Sequence, residues 1–276
     1  MVISFIGGGN MAVAIVSGML QQGFQTQEIH IVEPDVEKRT MLQEQYGVQV
    51  ADPSEKLPIS DMVILAVKPQ QVASILGVIG SQVQQSLLMS VAAGVSIDAL
   101  QILCGQTQRI IRAMPNTPAL IRAGISGAIA SSNVSASDKA LANRVLHAIG
   151  EVIWVKEESA LDAVTAISGS GPAYVFYFMQ ALQEAAQAQG FDAQTARQLV
   201  YSTFSGAVRL AQASSESVST LRERVTSKKG TTEEGVAVLR QHQLLRAVDE
   251  AVKAAAKRSH ALGQELMASL LIKKGR

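Results

Sequence analysis

The sequence is poor in the residues that build disulfide, metal and membrane proteins. A single cysteine, Cys104, excludes an internal disulfide framework and suits a reducing compartment. The four histidines (His30, His147, His242 and His260) are scattered, and none stands at metal-ligand spacing with Cys104, so no metal site is expected. No apolar run reaches the roughly 18 residues of a membrane span. The N-terminus shows no signal-peptide pattern, because Val2–Ile6 already reads as a strand. An excess of one charge is missing too. Lys and Arg total 24 against 23 for Asp and Glu, a net charge of +1 that offers no broad basic face to a nucleic acid. Only Lys228-Lys229 and Lys273-Lys274 form short basic runs. The expected class is a soluble, cytoplasmic protein without nucleic-acid or membrane partners. Its 276 residues, 47% of them apolar, suffice for two cores.

What is present divides the chain in two. Short β-branched runs at Val2–Ile6, Ile29–Glu33, Met62–Val67, Leu87–Val91, Ile110–Met114, Gly127–Ala130 and Val152–Val155 alternate with helical stretches such as Met11–Leu20 and Val36–Gln45. Such alternation predicts a mostly parallel sheet covered on both faces. After about Glu157 the strand signals stop, and Ala, Gln, Glu and Leu dominate. Pro172 can open a helix, and four of the chain's aromatic residues fall within Tyr174–Phe178. A helix apolar on every side is normally buried on every side. Either a second subunit or a central place in its own domain satisfies that. Further helices are predicted over 193–213 and 243–268, the last with a solvated face that includes the Asp249–Lys253 pair.

Gly7-Gly8-Gly9-Asn10-Met11-Ala12 matches G-x-G-x-x-A between a strand and a helix, the context that gives the pattern physical meaning. Gly7 permits the tight turn, Gly9 lets backbone approach a pyrophosphate, and Ala12 keeps helix close to strand. Residues 1–156 therefore read as a dinucleotide-binding Rossmann domain, with Ile6, Gly7, Gly8, Gly9, Asn10 and Met11 at the phosphates. Glu33 ends the second strand where an acid binds the adenosine ribose, beside Pro34. A carboxylate there repels a 2′-phosphate, while Lys38 and Arg39 offset the repulsion; the balance leans towards NADH over NADPH. The plainer alternative for Glu33 is a surface acid before the Pro34 turn, with Asp35 as a helix cap.

Four further segments hold residues that a core does not require. They are Ala66-Val67-Lys68-Pro69, Met114-Pro115-Asn116-Thr117-Pro118, Ser168-Gly169-Ser170-Gly171-Pro172-Ala173-Tyr174 and Val225-Thr226-Ser227-Lys228-Lys229-Gly230-Thr231-Thr232. The first lies at a strand's C-terminal end, where open α/β sheets place ligands. In the last, backbone N–H groups at a helix start can receive a carboxylate, and Thr231-x-x-Glu234 fits a capping box. Together with the glycine turn, these segments resemble the pyrroline-5-carboxylate reductase family over nearly the whole chain.

The resemblance implies an α/β Rossmann N-terminal domain followed by an all-α C-terminal dimerisation domain, here residues 157–276. It implies reduction of 1-pyrroline-5-carboxylate to L-proline by NADPH or NADH, and a homodimer built through the helical domain, with assemblies up to a decamer of five dimers. Carried over residue by residue, it makes Thr232 the catalytic position that hydrogen-bonds the ring nitrogen. Glu158, Ser227, Gly230 and Thr231 join Thr232 around the substrate. Ala66, Val67, Lys68 and Pro69, with Val91, Ala92 and Ala93, line the cofactor. The protonated imine is already electrophilic, so hydride delivery needs positioning more than a strong acid. The family usually has Pro-Gly where this chain has Lys228-Lys229, which changes the backbone angles open to the loop. A hydroxyacid dehydrogenase of similar layout uses a lysine on the first long helix of the second domain; Ala173–Gln189 contains none. A non-catalytic dinucleotide-binding regulator is the rival from another class, and it has no need of Thr231 and Thr232.

Overall fold

Three fully buried tetrapeptides form the centre of the sheet: β1 (Ile3–Ile6), β4 (Met62–Leu65) and β5 (Leu87–Ser90). Strands that are apolar on both faces need cover on both, which parallel crossovers supply. The computed structural model describes residues 1–274 and completes the sheet with β2 (Ile29–Val32), β3 (Gln49–Ala51), β6 (Ile110–Met114), β7 (Gly124–Ala130) and β8 (Gly150–Trp154). Their order is β3-β2-β1-β4-β5-β6-β7-β8. All neighbours are parallel except β6 and β7. The winding reverses beside β1, so β1 and β4 are adjacent strands whose connections leave in opposite directions. That reversal opens a crevice at their carboxyl ends.

The expected strands run one or two residues too long at these ends. Glu33, Ala66-Val67 and Val91 leave the ladder to line or border the crevice, so propensity there yields to the crevice. The short β3 carried too weak a pattern to be read. In the other direction, β7 starts three residues earlier than expected, at Gly124, where Gly150 (φ 144) leaves room for its backbone.

Helices α1 (Asn10–Gln21), α2 (Val36–Tyr46), α3 (Pro69–Ile79), α4 (Ile97–Cys104) and α5 (Ala136–His147) cover the sheet. Ala12, Ile15, Val16 and Met19 on α1 are buried. Gly18 lies so close to the Ala148 carbonyl that any Cβ would collide with it. Asp35 caps α2 by accepting from the N–H groups of Glu37 (3.0 Å) and Lys38 (3.3 Å). A short helix α6 (Ala160–Val164) runs into a single π-helical turn over Thr165–Gly169.

The first compact unit comprises residues 1–170 and the chain from 254 onward; the second is Gly171–Lys253. The second holds α7 (Gly171–Ala188), α8 (Ala193–Gln212), α9 (Val218–Arg224), α10 (Thr231–Gln241) and the first ten residues of α11 (Leu244–Lys274). Within it, only Ala196 and Val200 are buried apolar residues among those described. Helix α7 has no buried residue, and Phe176 and Tyr177 are 64% and 75% exposed. A Phe178–Phe204 edge contact at 6.0 Å joins α7 to α8. The central place in its own domain is thus not the one α7 takes. Its aromatic run is left uncovered within the unit, each large side chain being worth about 1.5–3 kcal/mol when buried.

Cys104 closes α4 in a fully apolar setting, and burial pushes its thiol up to about 12. At pH 8 the native protein should react with iodoacetamide on the order of a thousandfold more slowly than a free thiol. Unfolding in guanidinium should restore one fast-reacting thiol per chain. Fast labelling of the native protein would contradict this placement.

Candidate functional site

The turn after β1 is shaped by what its glycines exclude. Gly7 has φ 97 and donates its N–H to the Val32 carbonyl at 2.8 Å. A Cβ on it would stand 2.7 Å from Val67 Cγ1 and 2.9 Å from the Ala66 carbonyl oxygen. Gly8, a free position in the sequence pattern, is equally constrained, since its Cβ would come within 2.7 Å of Leu42 Cδ1. Gly9 differs. It is the N-cap of α1 without a side-chain cap, and a Cβ there would meet nothing within 4 Å. It lines an open cleft of about 650 Å³. Free helix N–H donors and a bare Cα beside open space fit a pyrophosphate.

Ile6, Gly7, Gly9, Glu33, Pro34, Ala66, Val67 and Lys68 line this cleft together; Gly8, Asn10 and Pro69 stand next to lining residues, and Met11 follows Asn10 outside the lining. Val91, Ala92 and Ala93 follow β5 outside that lining, held by Val91 N–H to the Leu65 carbonyl (3.1 Å). Glu33 is 6% exposed. Its Oε2 accepts from Gly8 N–H at 2.7 Å and its Oε1 from Asp35 N–H at 3.1 Å. This carboxylate therefore reaches back to the phosphate turn, which the surface-acid alternative does not provide for. Arg39 donates to the Glu33 carbonyl oxygen (2.5 Å) and pairs with Asp52 at 3.2 Å. Lys38 lines the cleft and stands 3.9 Å from Asp35. Of the two cations expected to offset Glu33, only Lys38 is left facing the ligand space.

Two ties in the first unit were not legible in the sequence. Glu158 Oε1 accepts from Arg112 Nη1 at 2.7 Å and from Ile97 N–H at 2.8 Å, which fixes the first turn of α4. Asn116 is buried; it donates to the Ser168 carbonyl at 3.0 Å and accepts from Ile125 N–H at 2.9 Å. It thereby joins the Met114–Pro118 loop to the π-helical turn, and Met114 Cε sits 3.0 Å from where a Gly169 Cβ would be. Two chemistry-rich segments are thus one built corner. The π turn was the available signal only in hindsight, since single π turns often mark functional places.

In the second unit, Ser227, Gly230, Thr231 and Thr232 share one loop and helix start. Gly230 is the N-cap of α10, and Ser227 Oγ occupies the space that a Cβ on it would need. The expected capping box from Thr231 to Glu234 does not form. Thr231 already lies inside the helix, and it is Glu233 that reaches back, accepting from Lys229 N–H at 2.5 Å. Among the described residues the N–H and hydroxyl groups of Thr231 and Thr232 have no partner. These exposed donors at a helix N-terminus suit a carboxylate. Lys229 takes φ 59, the left-handed region that favours glycine. The loop thus keeps a glycine-like bend despite its lysine.

Holding a lysine there costs about 1–2 kcal/mol. Lys229→Gly should raise stability by about 0.5–1 kcal/mol, after allowance for the freer unfolded chain. Urea unfolding at constant m-value would measure this, and a destabilised variant would argue against the bend.

Known proteins show the same layout from end to end. A family described as Pyrroline-5-carboxylate reductase dimerisation matches residues 158–262. One described as NADP oxidoreductase coenzyme F420-dependent matches residues 2–94. The pyrroline-5-carboxylate reductase of Pseudomonas aeruginosa is 37% identical over 266 residues, covering 96% of this chain and 97% of that protein. A pyrroline-5-carboxylate reductase structure from Coxiella burnetii superposes with a TM-score of 0.88 at 39% identity, covering 94% of this chain and 97% of that one. The Plasmodium falciparum enzyme, solved with NADP bound, gives 0.87 at 29% identity, covering 95% and 98%. With kinship at this level across both units, the chain belongs to the pyrroline-5-carboxylate reductase family.

Proposed function

We infer that the chain is an NAD(P)H-dependent pyrroline-5-carboxylate reductase, which converts 1-pyrroline-5-carboxylate to L-proline in the last step of proline biosynthesis. The observation that carries this is the full-length kinship, joined to a glycine turn open to a dinucleotide-sized cleft. The bound nicotinamide dinucleotide supplies the hydride that the imine carbon accepts. Gly7 to Met11 bind its pyrophosphate through the start of α1, and Glu33 with Pro34 takes the adenosine ribose. Ala66, Val67, Lys68 and Pro69, followed by Val91, Ala92 and Ala93, border it at the carboxyl ends of β4 and β5.

Ser227, Gly230, Thr231 and Thr232 receive the substrate carboxylate on exposed N–H donors. The Thr232 hydroxyl orients the ring nitrogen, so the imine carbon is presented with its face free. No strong acid is required, because the protonated imine is already an electrophile. Glu158 enters this reading as a positioning residue, through Arg112 and Ile97. Residues 1–156 serve as the dinucleotide-binding domain and 157–276 as the substrate and dimerisation domain.

The chain works as a homodimer, a reading supported by its dimerisation family and by the uncovered α7. A decamer of five dimers is the larger assembly proposed. Among the described residues no helix is long and apolar enough to cross a membrane, and a cytoplasmic place is in keeping with the one buried thiol. NADH is the preferred reductant in this reading. Glu33 is fixed at the ribose end by two backbone N–H groups, and Arg39 is engaged by Asp52.

Steady-state assays with pyrroline-5-carboxylate and each dinucleotide test the preference. The wild type should show a higher kcat/KM with NADH, and Glu33→Ser should move the ratio towards NADPH. A ratio unmoved by the substitution would remove Glu33 as the ribose reader. Thr232→Ala should lower kcat/KM about tenfold, the worth of one hydrogen bond of about 1.5 kcal/mol. Unchanged kinetics would take Thr232 out of the mechanism.

A further inference from the structure

The helical ladder lacks a donor at Ser168. In an α-helix the Ser168 carbonyl is met by the N–H four residues on, but that residue is Pro172, which has none. A donor comes instead from far back in the sequence, Asn116 Nδ2 at 3.0 Å. The same amide is used at its other end, where Oδ1 accepts from Ile125 N–H at 2.9 Å. Asn116 is 8% exposed. A carboxylate there could accept from Ile125 but could not donate to Ser168; a short neutral amide does both.

Pro115 and Pro118 fix φ on either side of Asn116. The Met114–Pro118 loop is therefore stiff within itself, and its remaining freedom is displacement as a body. Asn116 removes that freedom by pinning the loop to β7 on one side and to the π turn on the other. Strand β6 is parallel to β5, so this loop leaves the same carboxyl edge as Val91–Ala93, one strand further from the glycine turn. With the glycine turn at the pyrophosphate and Glu33 at the ribose, the β5 and β6 ends are what remain for the nicotinamide.

We propose that Asn116 is a positioning residue for hydride transfer, holding the Met114–Pro118 loop as the wall that sets the nicotinamide against the substrate. It acts through the Ser168 carbonyl and the Ile125 N–H, and the assignment rests on the reductase reading above. Asn116 stands outside the lining of the dinucleotide cleft. Its loss therefore spares dinucleotide affinity and costs turnover, since a misplacement of about 1 Å can lower a rate about a hundredfold.

Asn116→Asp keeps the shape and the acceptor for Ile125 and removes the donor. In the dinucleotide-free protein, amide hydrogen exchange over residues 114–121 and 165–170 should quicken about tenfold. NADH affinity measured by calorimetry should stay within about twofold, while kcat with pyrroline-5-carboxylate at about pH 8 should fall about tenfold. A buried carboxylate facing a carbonyl is held in its protonated form more readily, and once protonated it donates to Ser168 again. The ratio of variant to wild-type kcat should therefore climb as pH falls from about 8 to about 6. If Asn116→Asp fails to fold, Pro172→Ala carries the test: it returns an N–H that competes for the Ser168 carbonyl, and kcat should fall about threefold at unchanged NADH affinity. Wild-type turnover with unchanged kcat in the variant that folds overturns this inference alone. So does unchanged exchange in Asn116→Asp, a kcat loss that lower pH does not reverse, or a loss of NADH affinity as large as the loss of kcat. A wild type that binds NADH and never turns over overturns the reductase reading and this inference together.

Discussion

The helical unit cannot be held together by its own burial. Among the described residues of Gly171–Lys253, only Ala196 and Val200 are buried apolar residues, while Phe176, Tyr177, Leu199, Tyr201 and Val208 stay exposed. A single hydrophobic core is the usual source of stability for a unit of this size, and here the apolar surface exists without one. The dimerisation family matched over residues 158–262 is in keeping with cover by a second copy, and association of that kind stabilises by mass action. The loop before α10 is carried on this scaffold.

The sheet unit is governed by the opposite condition, close approach of backbone. Gly7, Gly8, Gly18 and Gly124 sit where a side chain would strike Val67, Leu42, Ala148 or Ala119. Gly9 is spared such contact and faces the cleft. One short turn thus separates glycines that allow packing from a glycine that allows ligand approach. Glu33 adds a second control, because its carboxylate holds Gly8 N–H while lining the cleft. Glycine turn and cleft wall are mechanically linked through that bond.

Polar ties complete the first unit away from the cleft. Arg112–Glu158–Ile97, Asn116–Ser168 and Ser259–Asp162 each join elements distant in sequence. They cross the β6 to α6 region, where the sheet gives way to helix and the π turn interrupts regular winding. Charged groups drawn from water at such places are costly unless paired, so they specify one arrangement of the corner.

Local periodicity and turn chemistry determined much of this protein without any tertiary knowledge. The alternating apolar runs foretold the parallel sheet, Gly7–Ala12 foretold the tight turn from β1 into α1, and Asp35 was readable as a cap. The motif segments foretold the family. What the sequence left open depended on partners far along the chain. Whether Glu33 points to solvent or to Gly8 is decided 25 residues away; whether Arg39 is free to answer a phosphate is decided by Asp52. Helix α7 read equally well as a central or an intersubunit helix, since periodicity reports which faces are apolar and not what covers them. The Thr231 capping box failed for a similar reason: Glu233 reached Lys229 N–H first, across a bend in which lysine takes a backbone angle suited to glycine. Local preference is encoded in adjacent residues, whereas the choice among satisfied hydrogen bonds and covered surfaces is made only when the distant elements meet.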